Sequence, residues 1–277
     1  MKNKIGVLVA YGRDTDIAQK FAQCKAIGID SCQLSIWDVD VFCEAAHAQK
    51  IKDAAASAGM SISTIWAGYS GPCEWNFISG PDTIGLVPVA YRATRLEELK
   101  RASDFAAMLG VDKIATHVGF IPENPTSGEF NGVVAALRHL CSYMKAKGQT
   151  FLFETGQETP ITVLRTIQAI GTDNLGINLD TANPILYGKG HPVDALDVFG
   201  SYVKDTHIKD GFFPTDGMYL GKETRAGDGK ANIPLVVSRL INEFGYTGPF
   251  TIEREISGEK QIEDIVHAKK LLEDSMA

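Results

Sequence analysis

Four residues able to hold a cation or move a proton sit in or at the end of short apolar runs. Glu154 ends "TFLFE", Asp180 ends "LGINLD", His207 stands in "VKDTHIK" and Glu253 in "PFTIER". A carboxylate at the end of a buried run loses hydration worth several kcal/mol, roughly, unless a cation or hydrogen bonds replace it. Three carboxylates and an imidazole gathered closely would also push one another's pKa up. A divalent ion removes that conflict. Oxygen ligands with a single His and no Cys suit Mn²⁺ first, with Mg²⁺, Co²⁺ and Zn²⁺ as alternatives. Such an ion would acidify the C–H beside the carbonyl of a chelated hydroxy-ketone by stabilising the developing enediolate. A positioned carboxylate could then take the proton.

The spacing suggests what brings the four together. Asp180 follows Glu154 by 26 residues, His207 follows Asp180 by 27, and Glu253 lies 46 further on. These are the lengths of one strand–helix unit, with a longer loop before the last. Short β-branched or apolar runs recur at 4–10, 31–37, 61–66, 113–119, 150–154, 175–180, 203–209 and 249–254. Between them apolar residues fall at helical spacing: Ile17, Phe21, Cys24 and Ile27; Leu96, Leu99, Ala102, Phe105, Ala106 and Leu109; Val133, Leu137, Leu140 and Met144; Ile161, Leu164 and Ile167; and Leu235, Val236, Leu240 and Phe244. Glycines in "AIGID", "SAGMS", "LGVDK", "KGQT" and "FGYTGPF" suit left-handed helix caps before the next strand.

Alternation of this kind predicts a parallel sheet, and continuous apolar strands predict that both its faces are covered. Eight units in 277 residues fit a closed (β/α)8 TIM barrel, an α/β fold, as a single domain over 1–277. The four chemical residues then converge at the C-terminal mouth. The longest irregular stretch, 67–89, follows the third strand on that same side, where long loops are usually functional.

Composition narrows the partners. A net charge of −7, with no run of five or six Lys or Arg, disfavours nucleic acid. Five cysteines at 24, 32, 43, 73 and 141 form no C-x-x-C pair and are odd in number, which points to a reducing cytoplasm. The N-terminal apolar run meets Arg13 and Asp14 too soon for a signal peptide, and no stretch approaches a membrane span.

The motifs "FE…E", "LDTAN", "HIKD" and "TIERE" resemble the metal signature of the xylose isomerase-like barrel superfamily, in its sugar isomerase/epimerase branch that includes the ketose 3-epimerases. The resemblance implies one divalent ion held by Glu154, Asp180, His207 and Glu253. It implies that Glu154 and Glu253 double as acid and base on opposite faces of a small sugar, and that Glu158 touches the sugar and supports the catalytic carboxylate. It also suggests a homo-oligomer. Asn183 stands where those epimerases carry a histidine, and Phe213 where they carry an arginine; Arg225, on the long loop, is the nearest replacement.

Further substrate contacts are expected from His117 and Lys209 at strand ends, from Glu123 on the loop after the fourth strand, and from aromatic faces at Trp37, Trp66 and Trp75. The G-x-G of "RAGDGKANIP" lies where some barrels bind phosphate, but a tight turn leading to Asn232 accounts for it equally, and no phosphate site is assigned.

Proton transfer between two faces would epimerise a sugar, and transfer by one group between neighbouring carbons would isomerise it. Loss of a β leaving group would make a dehydratase or lyase acting on a keto-sugar or keto-inositol. An abasic-site nuclease of the same superfamily would need many more histidines at the mouth than the six at 47, 117, 139, 191, 207 and 267 provide. A barrel that only binds its ligand would have no use for carboxylates on both faces.

Overall fold

The computed structural model describes residues 3–277. All eight expected strands form: β1 (Ile5–Ala10), β2 (Ser31–Ile36), β3 (Ser61–Ala67), β4 (Lys113–Thr116), β5 (Thr150–Glu154), β6 (Leu175–Asp180), β7 (Val203–Ile208) and β8 (Phe250–Ile252). They close into a parallel barrel in which β1 pairs with both β2 and β8. Each is followed by a helix: α1 (Ile17–Ala26), α2 (Ala45–Ala58), α3 (Val89–Leu109), α4 (Gly128–Lys145), α5 (Pro160–Ile170), α6 (Pro192–Phe199), α7 (Ile233–Asn242) and α8 (Glu259–Ser275). Asp210–Gly211 and Glu223–Thr224 form a short antiparallel pair after β7. Among the described residues no helix is long and apolar enough to cross a membrane.

The five expected glycines, Gly28, Gly59, Gly110, Gly148 and Gly245, all have positive φ, a conformation open to glycine at little cost. Two helices bury a face turned from the expected stripe. In α5 the buried residues are Thr162, Val163, Thr166, Ile167 and Ile170, while Ile161, beside Pro160 in the first turn, is exposed. In α7, Leu235 is likewise exposed and Val236, Val237 and Leu240 face inward.

The strands are apolar on the face turned to the helices, where Phe151, Phe153, Ile177, Leu179, Ile208, Phe250 and Ile252 join one continuous core. The barrel interior departs from the expectation of apolar strands on both faces. Its filling includes Gln33, Thr64, Asn178, Asp205 and Thr251, all fully buried. Most of their polar atoms are satisfied across the barrel: Gln33 Nε2 donates to Asn178 Oδ1 at 2.9 Å, and Asp205 accepts from Thr64 Oγ1 at 2.7 Å and Thr251 Oγ1 at 3.2 Å, while Asn178 Nδ2 is left without a partner. A smaller apolar cluster of Trp66, Ala115 and Leu152, with Leu8 against it, packs separately from the outer core.

Candidate active site

Side chains alternate along a strand, so residues two apart share a face. Leu152 and Glu154 on β5, Asn178 and Asp180 on β6, and Asp205 and His207 on β7 are such pairs. The ladder places Asp180 opposite His207, and His207 opposite Thr251. Glu253 follows β8 by one residue, and its N–H still bonds to Ile208 O at 3.1 Å. One ligand atom from each of Glu154, Asp180, His207 and Glu253 lies within 4.8 Å of all the others.

The orientations suit a cation. Asp180 Oδ1 accepts from the backbone N–H groups of Ala182 and Asn183, each at 2.7 Å, which leaves Oδ2 buried with no hydrogen-bond partner. Glu253 Oε2 is likewise buried and unpartnered. His207 Nδ1 lies 2.9 Å from Glu154 Oε1 and 3.2 Å from Glu253 Oε2. Three carboxylates, one imidazole and unpartnered oxygens facing a common point fit one hard divalent ion.

The local electrostatics differ sharply between the acids. Burial pushes the Asp180 carboxyl up to about 7, with Glu253 and Glu154 adding to the rise against the pull of Lys209. Burial would also raise Glu253, but Lys209 and His207 outweigh it and bring the carboxyl down to about 2. Glu154 is held well below the usual range because the imidazoles of His117 and His207 overcome its desolvation.

Around this centre stand groups that fix it. The indole N–H of Trp66, near the end of β3, donates to Glu154 Oε2. His117, the first residue past β4, has Nε2 3.3 Å from Glu154 Oε1 and its Nδ1 buried without a partner. Lys209 is 1% exposed, and its Nζ meets Glu255 at 2.5 Å, Asn183 Oδ1 at 3.2 Å, Glu253 at 3.5 Å and Asp180 at 3.8 Å.

Above it opens a cavity of about 370 Å³ onto which Glu154, Glu253, His117 and Asn183 all face. Trp37, Trp66 and Trp75 form one wall, with ring centroids 5.0 Å apart for Trp37 and Trp66 and 6.2 Å for Trp37 and Trp75. Gly68 permits this approach, since a Cβ there would lie 2.6 Å from the Trp37 ring.

Not every expected contact reaches the cavity. Glu158 is buried and does not line the cavity; neither carboxylate oxygen is hydrogen-bonded, and burial raises its carboxyl to about 7 against the pull of His117. The structure does not bring Glu123 to the cavity. Its carboxylate accepts from Thr159 and Thr162 at the start of α5. Arg225 is engaged by Asp228 at 2.9 Å, and Phe213 is on the exposed surface. Neither lines the cavity.

Two residues escaped the sequence reading. Gln33 on β2 reaches His207 across the barrel, and a polar residue within a strand carries no signal of that partner. Arg95 on α3 is fully buried and donates to the carbonyls of Ser70, Pro72, Thr83 and Gly85, between the rings of Tyr69 and Tyr91. It gathers the long loop that carries Trp75. Its place in a helical pattern rich in charged residues concealed this.

A family model described as a xylose isomerase-like TIM barrel matches residues 21–276. The chain is 32% identical to a xylose isomerase domain protein from Planctomyces limnophilus, over 99% of this chain and 98% of that one, with a TM-score of 0.91. A xylose isomerase-like TIM barrel protein from Mycobacterium smegmatis, solved in complex with magnesium, shares 19% identity over 100% and 98% of the two chains at a TM-score of 0.71. D-psicose 3-epimerase from Clostridium cellulolyticum H10, solved with D-tagatose, shares 14% identity over 99% of each chain at 0.72. These last two likenesses concern the fold. No curated protein matches the sequence.

Proposed function

The chain belongs to the xylose isomerase-like TIM barrel family, and we propose that within it the protein is a divalent-metal-dependent sugar epimerase or isomerase acting on a ketose or related hydroxy-ketone. The observation that carries this reading is that two carboxylates, Glu154 from β5 and Glu253 from the end of β8, both face the cavity from either side of His207. Glu154, Asp180, His207 and Glu253 would hold the ion, with Mn²⁺ the first choice and Mg²⁺, Co²⁺ or Zn²⁺ as alternatives. When bound, the ion would supply charge stabilisation for the enediolate that forms as a hydroxy-ketone loses its α-proton.

The protein's own groups do the rest. Glu154 is hydrogen-bonded by Trp66 and faces the cavity, so it is a fixed base positioned for the substrate. In epimerisation Glu154 takes the proton from one face while Glu253, ionised at rest, relays a proton from solvent to the other. Glu154 is left protonated and Glu253 ionised, and exchange with solvent resets the pair. In isomerisation a single carboxylate takes the proton from one carbon and, after exchange with solvent, returns one to its neighbour, while the hydroxyl proton passes to the former carbonyl oxygen. Asn183, held against Lys209, and the tryptophan wall would orient the sugar. The buried Glu158 would act on this region only through the charge it places near His117. The five unpaired cysteines support a reducing, cytoplasmic setting.

A second reading, elimination of water from a keto-sugar or keto-inositol, is favoured by one observation. His117 faces the cavity beside Glu154 with an unpartnered Nδ1, the position of a group that could protonate a leaving hydroxyl. Incubation in D₂O with Mn²⁺ and a panel of ketoses and keto-inositols, read by NMR, tests both. Deuterium at the carbon beside the carbonyl with a new epimer or aldose is the expected result. Loss of water without such an isomer selects the second reading, and no exchange on any of them removes both.

A further inference from the structure

We propose that the substrate of this site is an electrically neutral keto-sugar, seated with its outer end on Trp37 and Trp75, and that sugar phosphates and sugar acids are excluded. The inference rests on the reading of the site as a sugar epimerase or isomerase and deepens it.

The loops after the last strands of such barrels commonly bind phosphate through backbone N–H groups. Here those donors are already taken by the protein itself. The carboxylate of Asp210, two residues after β7, accepts from Gly211 N at 2.8 Å and Ala231 N at 2.9 Å through Oδ1, and from Gly227 N and Gly229 N at 3.0 Å each through Oδ2. Asp210 is 1% exposed, and a Cβ on Gly229 would come within 2.2 Å of its Oδ1. A phosphate could enter this nest only by displacing a buried, fourfold hydrogen-bonded carboxylate. The glycines of "RAGDGKANIP" thus serve an internal anion.

The cavity offers no second place for an anion. Three carboxylates, Glu154, Glu253 and Glu255, line it, and among the described residues no Lys or Arg does. The nearest ammonium, Lys209, is enclosed by Glu255, Glu253, Asp180 and the Asn183 amide oxygen. Three carboxylates around a divalent ion leave the centre itself net negative, so a charged substituent is repelled rather than steered inward.

The tryptophan wall favours neutral carbon. Trp37 and Trp75 line the cavity yet remain about two-fifths exposed, at 42% and 39%, with Leu186 and Leu220 also lining it. Half-exposed aromatic faces at a cavity mouth suit the C–H face of a sugar or a neutral glycosidic group.

The test compares a hexulose with its 6-phosphate on the Mn²⁺-loaded protein, measuring deuterium uptake from D₂O and, separately, quenching of tryptophan fluorescence. Exchange at least about 100-fold more efficient for the neutral sugar is expected. Equal or faster exchange with the phosphate would overturn the proposal while leaving the proton-transfer function standing. If neither sugar exchanges, that function fails and the fluorescence titration decides alone. Quenching by the hexulose but not by the phosphate supports the proposal, whereas equal or tighter phosphate binding, or no binding of either, overturns it. Glu255→Gln, which frees Lys209 from its nearest partner, is expected to narrow the preference about tenfold. An unchanged ratio would remove charge as its origin.

Discussion

Gln33 Oε1 lies 2.9 Å from His207 Nε2, and the amide can present no other atom there. Its Nε2 is committed to Asn178 Oδ1 at 2.9 Å and to Thr206 O at 3.3 Å, so Oε1 must face the imidazole as an acceptor. His207 therefore carries a proton on Nε2. Without an ion, Glu154 and Glu253 beside Nδ1 push the ring toward its protonated form; as a neutral ligand it would turn the Nδ1 lone pair to the ion between them. A residue on β2 thus sets the tautomer of a ligand on β7, the usual way in which an outer partner prepares a metal-binding histidine.

Gln33→Leu should accordingly weaken Mn²⁺ binding about 10- to 100-fold without unfolding the barrel. Isothermal titration gives the affinity and circular dichroism the fold. An unchanged affinity would mean that the two carboxylates alone orient the ring.

Glu154→Gln and Glu253→Gln should each reduce proton exchange by about 10²- to 10⁴-fold, the range expected for loss of a positioned acid or base. Full activity in either variant would remove the two-carboxylate mechanism. If only Glu154→Gln is inactive, a single base carries the proton and isomerisation is the reaction.

Asp180→Asn combined with His207→Ala should leave the purified protein metal-poor, because it removes the unpartnered Oδ2 and the only imidazole of the set. Elemental analysis at wild-type metal content would place the ligands elsewhere.

Glu158 predicts a pH dependence. Burial raises its carboxyl from 4.5 to about 7. Between those values the folded chain holds a proton that the unfolded chain has released, so stability is fully present below pH 4.5 and declines as pH rises toward 7. The loss is about 3 kcal/mol for a shift of this size. In metal-free protein the Glu158→Gln variant should lack this decline, and urea unfolding from pH 4.5 to 8 measures it. Parallel curves for variant and wild type would contradict the assignment.

Arg95→Met strips four loop carbonyls of their donor and places an apolar side chain among them. A loss of about 3–5 kcal/mol follows from breaking a buried, charged hydrogen-bond network. Proteolysis within 70–85 should accelerate, and KM should rise as Trp75 loses its support. A stability change below about 1 kcal/mol would show that the loop holds itself.

Much of this was legible along the chain because it is periodic or terminal. Strands and helices announce themselves through apolar spacing, and a carboxylate ending an apolar strand has a direction as well as a position. That is why Glu154, Asp180, His207 and Glu253 could be named together before any coordinate. Glu123 misled because a loop position has no such direction, and Thr159 and Thr162 took its carboxylate. Ile161 and Leu235 misled because an apolar residue at a helix start fits the helical repeat without facing the core.

The sequence by itself determined the barrel, the end of it that carries chemistry, and four groups able to share an ion, because backbone periodicity and strand direction are local properties. Only the tertiary structure decided how those groups are tuned and what they exclude. Gln33 reaches His207 across the barrel, Asp210 folds back into the turn at Gly227 and Gly229, and Glu255 closes on Lys209. Each of these contacts joins residues 17 to 174 positions apart. Hydrogen bonds and ion pairs act over a few ångströms of space, and their partners are chosen by closure of the barrel rather than by neighbours in the chain.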